Sequence, residues 1–380
     1  MRRRLRLGMI GGGQGAFIGS VHRMAARLDD RYDLVAGALS SDPDRAKSSA
    51  ADLLIAPDRA YPSVDALLSA ESQRDDGIDV VAVVTPNHLH YSMVRKSLDH
   101  GLHVICDKPL TTQVADADDL VAAAARVGRV LAVTFNYSGY PLVRQAREMI
   151  SNGQLGALRV VQVEYAQGWL AQDIETSGDK QAGWRTDPER AGVGGVTADI
   201  GSHAFHLAEF VTNGRVARLA ADLSTHVPGR RLEDNVQMML HFEGGARGAL
   251  WASQVAVGRE NSLRLRVFGE RASIEWCQES PNQMRFACLG RSAVTITRGG
   301  YGVAPEAARA SRIPAGHPEG YLEAFAQIYS DAADLIEGSD AARSPAGGTL
   351  VPLAADGARG VRFIHAAVES SRRNGIWIDL

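Results

Sequence analysis

The chain has 380 residues, 45% of them hydrophobic and 22% charged, which suggests two domains of ~100–200 residues and a core needing no disulfide or metal staple. Its 41 Lys+Arg against 44 Asp+Glu give a net charge of −3, which offers no basic surface for a nucleic-acid backbone. Three cysteines, Cys106, Cys277 and Cys288, lack zinc-ligand spacing and are odd in number, so a reducing, cytoplasmic compartment is expected and no metal.

No apolar run reaches the ~18 residues needed to span a bilayer, so no membrane partner is expected. Met1-Arg2-Arg3-Arg4-Leu5-Arg6-Leu7 is followed by Gly-Met-Ile-Gly-Gly-Gly, and reads as basic residues leading into a first strand rather than a targeting segment. Strands are then expected at Leu5–Ile10, Leu34–Leu39, Val80–Val84, His103–Cys106 and Val130–Thr134. Helices are expected at Ser20–Leu28, Pro43–Leu54, Tyr91–His100 and Ala115–Val127. Strands alternating with helices imply a parallel sheet covered on both faces, a doubly wound α/β domain over residues 1–135.

From about residue 155 the texture changes. Val160–Tyr165, Ala217–Thr225, Asn235–Phe242, Ala246–Ser253, Ser262–Phe268 and Ala272–Trp276 alternate apolar with polar residues between turn signals. Such a series makes a large, mainly antiparallel sheet, with helices at Ser202–Val211, Glu319–Glu337 and Gly357–Arg373 and a short strand at Ile376–Leu380. Gly290–Pro318, rich in Gly, Pro, Ser and Arg, reads as loop. Residues 136–380 are expected to form the second α/β domain, a substrate-binding and oligomerisation domain in which one sheet face is free for substrate or for another subunit.

The first strand runs into Gly11-Gly12-Gly13-Gln14-Gly15-Ala16-Phe17-Ile18-Gly19, which contains G-x-G-x-x-A as Gly11, Gly13 and Ala16. One glycine permits a sharp turn and the next lets backbone approach a pyrophosphate. The third small residue lets the following helix pack closely with its positive end toward phosphate. Gly11, Gly13, Gln14, Gly15, Ala16, Phe17 and Ile18 are therefore candidates for holding a dinucleotide. No Lys-Ser/Thr closes the loop as a nucleoside-triphosphate site requires.

At the end of the second strand, where NAD sites place an acid, stands Ser40, followed by Ser41, Asp42 and, on the helix beyond, Arg45 and Lys47. Small polar groups with a cation lean the choice between NAD and NADP slightly toward NADP. The same Ser-Ser-Asp-Pro also serves as a helix start. Two more segments fall at strand C-terminal ends, where open parallel sheets bind ligands: Thr85-Pro86-Asn87-His88-Leu89-His90 and Asp107-Lys108-Pro109-Leu110. Proline ending a strand and asparagine capping a helix account for part of this, but not for a lysine held between an acid and a proline.

In the second domain, Asp199 and His203 of Gly194-Gly195-Val196-Thr197-Ala198-Asp199-Ile200-Gly201-Ser202-His203 stand four residues apart. On a helix they would share a face, the aspartate orienting the imidazole for proton transfer. Tyr137, Tyr140, Trp169, Asp173, Trp184 and Arg185 supply rings and polar groups suited to a sugar, Trp184-Arg185 foremost.

With the glycine loop and His22 after it, Thr85-Pro86-Asn87-His88, Asp107-Lys108-Pro109, Asn136-Tyr137 and Asp-x-Gly-x-His at 199–203, the chain resembles the Gfo/Idh/MocA family (glucose–fructose oxidoreductase, inositol dehydrogenase) nearly end to end. Glu233-Asp234-Asn235 and Gly316-His317-Pro318-Glu319-Gly320-Tyr321 add to the likeness. The resemblance implies a Rossmann domain binding NAD or NADP, with Lys108 beside the nicotinamide and against the reacting hydroxyl, His203 as acid/base and Asp199 its partner. It implies that Asn87 and His88 line the nicotinamide side and that Asp107 reaches its ribose. Thr85, Pro86, His90, Asn136, Trp184 and Arg185 complete the expected cofactor set; Lys108, Asn136, Tyr137, Trp169, Asp199 and His203 make the substrate set. The implied reaction is dehydrogenation of a ring hydroxyl of a small-molecule sugar, glycoside or cyclitol, in a homodimer or homotetramer built through the second sheet. Alternatives are a glycosidase that retains its cofactor and oxidises transiently, and a non-catalytic sensor. Asp107 in place of glutamate, the long glycine loop, and His206 where many members have an aspartate depart from the family pattern.

Overall fold

The computed structural model describes residues 3–343 and 348–380, so Met1 and Arg2 of the basic start lie outside the described residues. The chain forms two compact units, residues 1–136 with 322–358, and residues 137–321 with 359–380. The sequence division at 135/136 drew one cut, whereas the chain crosses between units three times and 322–358 goes to the first.

The first unit carries β1 (Leu5–Gly11), α1 (Phe17–Leu28), β2 (Tyr32–Ala38), α2 (Pro43–Asp52), α3 (Val64–Glu71), β3 (Val80–Val84), α4 (Asn87–Asp99), β4 (His103–Cys106), α5 (Val114–Val127) and β5 (Leu131–Val133). The strands lie in the order β2-β1-β3-β4-β5, all parallel. β3 reads Val-Val-Ala-Val-Val and is buried throughout, as a central strand covered on both faces must be. This is the expected doubly wound sheet. The sequence reading missed α3 and started α1 three residues late.

The second unit begins with α6 (Pro141–Ser151), β6 (Leu158–Ala166), α7 (Lys180–Arg185) and α8 (Pro188–Ala191), followed by α9 (Ser202–Thr212). Then come β7 (Val216–Ser224), β8 (Asn235–Phe242), β9 (Arg247–Ser253), β10 (Ser262–Gly269), β11 (Ala272–Cys277), β12 (Gln283–Cys288) and β13 (Val294–Thr297). They join a nine-stranded sheet ordered β13-β12-β11-β10-β6-β9-β8-β7-β14, with β14 at Ile378–Asp379. Every neighbour pair is antiparallel except β6 with β9. Along β8, Val236, Met238, Leu240 and Phe242 are buried while Gln237 and Met239 are exposed, the period-two alternation of a sheet with one covered face. α9 is buried on every side.

Gly290–Pro318, read as loop, contains β13 and a short helix, α10 (Pro305–Arg309). β13 is an outermost strand with three of its four residues exposed, so it lacks the buried alternation that marks a strand in sequence. Two long helices precede β14: α11 (Tyr321–Ile336) and α12 (Ala354–Arg372).

Candidate active site

Three glycines shape the loop between β1 and α1 by close approach. A Cβ on Gly11, whose φ is +80°, would lie 2.9 Å from Thr85 Cγ2, and one on Gly13 would lie 2.7 Å from the Leu39 carbonyl oxygen. A Cβ on Gly19 would meet Gly12 Cα at 2.4 Å. The small residue that lets the helix pack tightly is therefore Gly19, in the first turn of α1. Ala16, assigned that part by the pattern, stands at the helix cap. The loop's added length separates the two. The Gln14 amide donates to Ser49 Oγ at 3.0 Å, and its carboxamide donates to Ser48 Oγ and Asp52 Oδ2 at 2.9 and 2.7 Å. Phe17 is exposed, and Arg23 reaches back to the Gly12 carbonyl at 2.6 Å.

At the end of β2, Asp42 caps α2 by accepting from the Arg45 amide at 2.9 Å, with Pro43 in the first helical position. Ser40 Oγ accepts from the Asp42 amide at 3.1 Å. The segment thus acts as a helix start, with Ser41 and Arg45 exposed beside it.

After β3, Pro86 occupies the cap position of α4 and Asn87 the first helical one, so Asn87 is not the expected cap. His90 is buried and bridges two loops: Nδ1 lies 2.8 Å from the Pro109 carbonyl and Nε2 2.8 Å from the Thr85 carbonyl. Burial lowers its pKa, against the opposing field of Asp107. His88, on the same helix, is exposed. Asp107 is fixed at its amide by the Val83 carbonyl, 3.0 Å away, and its Oδ1 accepts from Thr134 Oγ1 at 2.7 Å and the Lys108 amide at 3.0 Å. The Lys108–Pro109 peptide is cis and Lys108 is half-buried. His22 on α1 is fully buried, with Nδ1 2.8 Å from the Tyr329 hydroxyl. Burial drives its pKa down to about 4.

These residues fit a dinucleotide. The loop has glycine where any side chain would collide, and Thr85 Oγ1 and Asn136 Nδ2 are buried without a hydrogen-bond partner among the described residues. Orphaned polar atoms of this kind are costly unless a ligand or water completes them.

In the second unit, Asp199 lies on a π-turn, Thr197–Gly201, that runs into α9; the Ser202 amide reaches the Thr197 carbonyl five residues back. The α-helical turn expected at 199–203 is thus wider at its start, a rare feature that falls frequently at functional sites. Asp199 Oδ2 accepts from Gln254 Nε2 at 2.8 Å and lies 3.3 Å from Arg185 Nε. Arg185 Cζ stands 4.3 Å from the Trp184 ring centre and 6.0 Å from that of Trp169. His203 is buried, its ring edge-on to Tyr137 at 5.0 Å. The Tyr137 hydroxyl bonds that of Tyr165, which donates to Asn261 Oδ1 at 2.7 Å. Gln167 Nε2 donates to the same Asn261 oxygen at 2.7 Å and its Oε1 accepts from Trp169 Nε1 at 3.0 Å.

Asp199, His203, Tyr137, Trp169, Trp184 and Arg185 therefore share one polar and aromatic network. Tyr140 is buried, stacked on Tyr137 at 6.0 Å, and His206 stacks on Phe210 at 5.8 Å. Asp173 lines a pocket with Gln172, His226, Pro228 and Val257 instead. The sequence reading missed Gln254, Gln167, Asn261 and Tyr165. Each sits on or directly beside an ordinary strand, where nothing in the local pattern sets it apart.

Residues 5–135 match the oxidoreductase family with an NAD-binding Rossmann fold, and residues 143–275 match the GFO/IDH/MocA C-terminal domain. An uncharacterized oxidoreductase of Bacillus subtilis, YfiI, is 33% identical over 99% of this chain and 96% of its own length. The chain belongs to the Gfo/Idh/MocA family. As a Gfo/Idh/MocA protein it is an oxidoreductase with an NAD-binding Rossmann domain. The crystal structure of an inositol dehydrogenase homolog from Azotobacter vinelandii, complexed with NAD+, superposes with a TM-score of 0.95 at 38% identity, covering 100% of this chain and 98% of that one. A levoglucosan dehydrogenase of Pseudarthrobacter phenanthrenivorans is 27% identical over 99% of this Gfo/Idh/MocA chain and 98% of its own. Among the described residues, no helix is long and apolar enough to cross a membrane, and no cluster of His, Cys, Asp and Glu could hold a metal.

Proposed function

We propose that this protein oxidises a ring secondary hydroxyl of a sugar, glycoside or cyclitol, or reduces the corresponding ketone, with Lys108, Asp199 and His203 as its working residues. The observation that carries the reading is the network around Asp199 and His203: an acid fixed by Gln254 and Arg185, one helical turn from a buried imidazole edged by Tyr137. Full-length relatives point the same way, being described as complexes with NADH and myo-inositol or with NADH and levoglucosan. A bound nicotinamide supplies the hydride acceptor. His203 takes the hydroxyl proton as negative charge builds on the oxygen, Asp199 orients the imidazole, and the Lys108 ammonium stabilises the developing alkoxide.

Gly11, Gly13 and the first turn of α1 would hold the pyrophosphate, and Thr85 and Asn136 would complete their hydrogen bonds on the nucleotide. Ser40 in the acid's place favours NADP, whereas the relatives' complexes hold NAD+ or NADH; measuring Kd for both dinucleotides distinguishes the two. The second sheet's open face sets Phe268 opposite Val160, with Met239 on the same side, all exposed. There we place the contacts of a homodimer or homotetramer.

The test is turnover of NAD+ or NADP+ against a panel of cyclitols, anhydrosugars and glycosides. Lys108→Ala and His203→Ala each lower kcat by at least ~10²-fold with nucleotide affinity retained. Near-normal rates in both variants would remove the assignment. Release of aglycone with no net reduced nucleotide would favour the cofactor-retaining glycosidase.

A further inference from the structure

The start of the helix that carries Asp199 and His203 is held by one residue from a distant segment. Glu233 is buried, and its Oε1 accepts from the Gly195 amide at 2.8 Å and the Thr197 amide at 3.0 Å. Its own backbone carbonyl accepts from the Val196 amide at 3.0 Å. Three consecutive N–H groups at the opening of a helical segment, which have no partner within it, are thus satisfied by a single side chain and its backbone. The approach is so close that a Cβ on Gly195 would lie 2.3 Å from the Glu233 carbonyl oxygen.

The next residue holds the same aspartate from the other side. The Asp234 carbonyl accepts from the Gln254 amide at 2.9 Å, and Gln254 Nε2 donates to Asp199 Oδ2 at 2.8 Å. The Asp234 carboxylate is fixed in turn by the His226 and Val227 amides and by Arg230 Nη1 at 3.1 Å. The pair is therefore a bracket, bonded to the backbone before Asp199 and to the backbone of Gln254, whose side chain grips the Asp199 carboxylate.

We infer that Glu233 is a positioning residue: it acts through the 195–197 amides to set the π-turn, and with Gln254 it fixes where Asp199 stands relative to His203. The inference rests on the proposed roles of Asp199 and His203. A negative or partly negative oxygen at the opening of a helix also suits its positive end. Misplacement of a reacting group by about 1 Å costs ~10²-fold in rate, so even partial loosening is measurable.

The test uses the full-length protein. Amide hydrogen exchange followed by NMR reads the bracket without substrate. In the wild type the Gly195 and Thr197 amides exchange far more slowly than open loop. Glu233→Gln, which keeps a carbonyl oxygen where Oε1 stands, preserves that protection, and Glu233→Ala loses it. On whichever polyol or sugar the wild type oxidises, Glu233→Ala lowers kcat at least about tenfold with Kd for NAD+ unchanged, and Glu233→Gln restores most of the rate. Glu233→Asp, one methylene too short, replaces the alanine variant if that one does not fold. Wild-type amides exchanging at loop rates, Glu233→Ala turning over like wild type, or Glu233→Gln falling as far as Glu233→Ala would each overturn the inference. Full turnover in His203→Ala would instead sink the functional reading, while the exchange rates still decide the bracket.

Discussion

Gly19 shows how much a missing side chain can decide. Its α-carbon faces that of Gly12 so closely that a methyl group would sit 2.4 Å from backbone on an opposing segment that cannot rotate away. Gly19→Ala therefore pushes α1 off the glycine loop. Overpacking of this kind costs ~1–3 kcal/mol, and the rigid neighbour places this case near the upper end. Urea unfolding should report that loss, and titration with NAD+ and NADP+ should show weakened binding. Unchanged stability and affinity would show that α1 need not approach Gly12 this closely. The pattern G-x-G-x-x-A located the loop, but the physical part it assigned to Ala16 belongs three residues later. Sequence spacing counts residues, whereas the contact depends on where the lengthened loop re-enters the helix.

At the scale of elements, the segment after β13 stays ordered because of one buried arginine. Arg298, almost wholly enclosed, donates to the Ile313 and Pro314 carbonyls at 2.8 and 3.0 Å, to Asn282 Oδ1 at 2.9 Å and to Glu319 Oε1 at 2.9 Å. Glu319 in turn accepts from the Arg312 and Ile313 amides at 2.7 and 2.9 Å. Composition alone marks residues 290–318 as loop because Gly and Pro break regular patterns. It is blind to a guanidinium whose five donors replace the missing ladder. Arg298→Ala leaves Glu319 buried opposite no charge and should cost about 3–5 kcal/mol, read as a lowered Tm. A shift below about 1 kcal/mol would show that the loop is held by its backbone instead.

For the molecule as a whole, pH should act first through buried histidines, with His22 and His103 foremost and His90 lowered in the same direction. Burial lowers the pKa of both His22 and His103 to about 4, and the His103 Nδ1 accepts from the Val130 amide at 3.0 Å, a bond that needs an unprotonated nitrogen. The unfolded chain titrates near 6.5 and so binds more protons than the folded chain between those values. Stability is then full above pH 6.5 and declines as pH falls toward 4. His22 contributes on the order of 3 kcal/mol across that window. Thermal unfolding measured from pH 7 to 5, before most carboxylates titrate, should show Tm falling with acid. His22→Gln should flatten part of that slope. A variant with the wild-type slope would remove His22 from the account.

Much was legible without coordinates, because it rests on local regularities. Continuous apolar strands such as Val80–Val84 announce a sheet covered on both faces, and alternation along Asn235–Phe242 announces one covered on a single face. Glycines after the first strand announce a tight approach to something. Lys108, Asp199 and His203 stood out as candidates, and the proposed reaction rests on them. Other features depend on partners far apart in the chain. The oxygens that His90 faces come from two different loops, the amides that Glu233 holds lie nearly forty residues upstream, and Gln254 reaches Asp199 across the second unit. A sequence states which groups are present and with what period they repeat. Only folding, by excluding water and forcing each buried donor to find an acceptor, decides which of them meet.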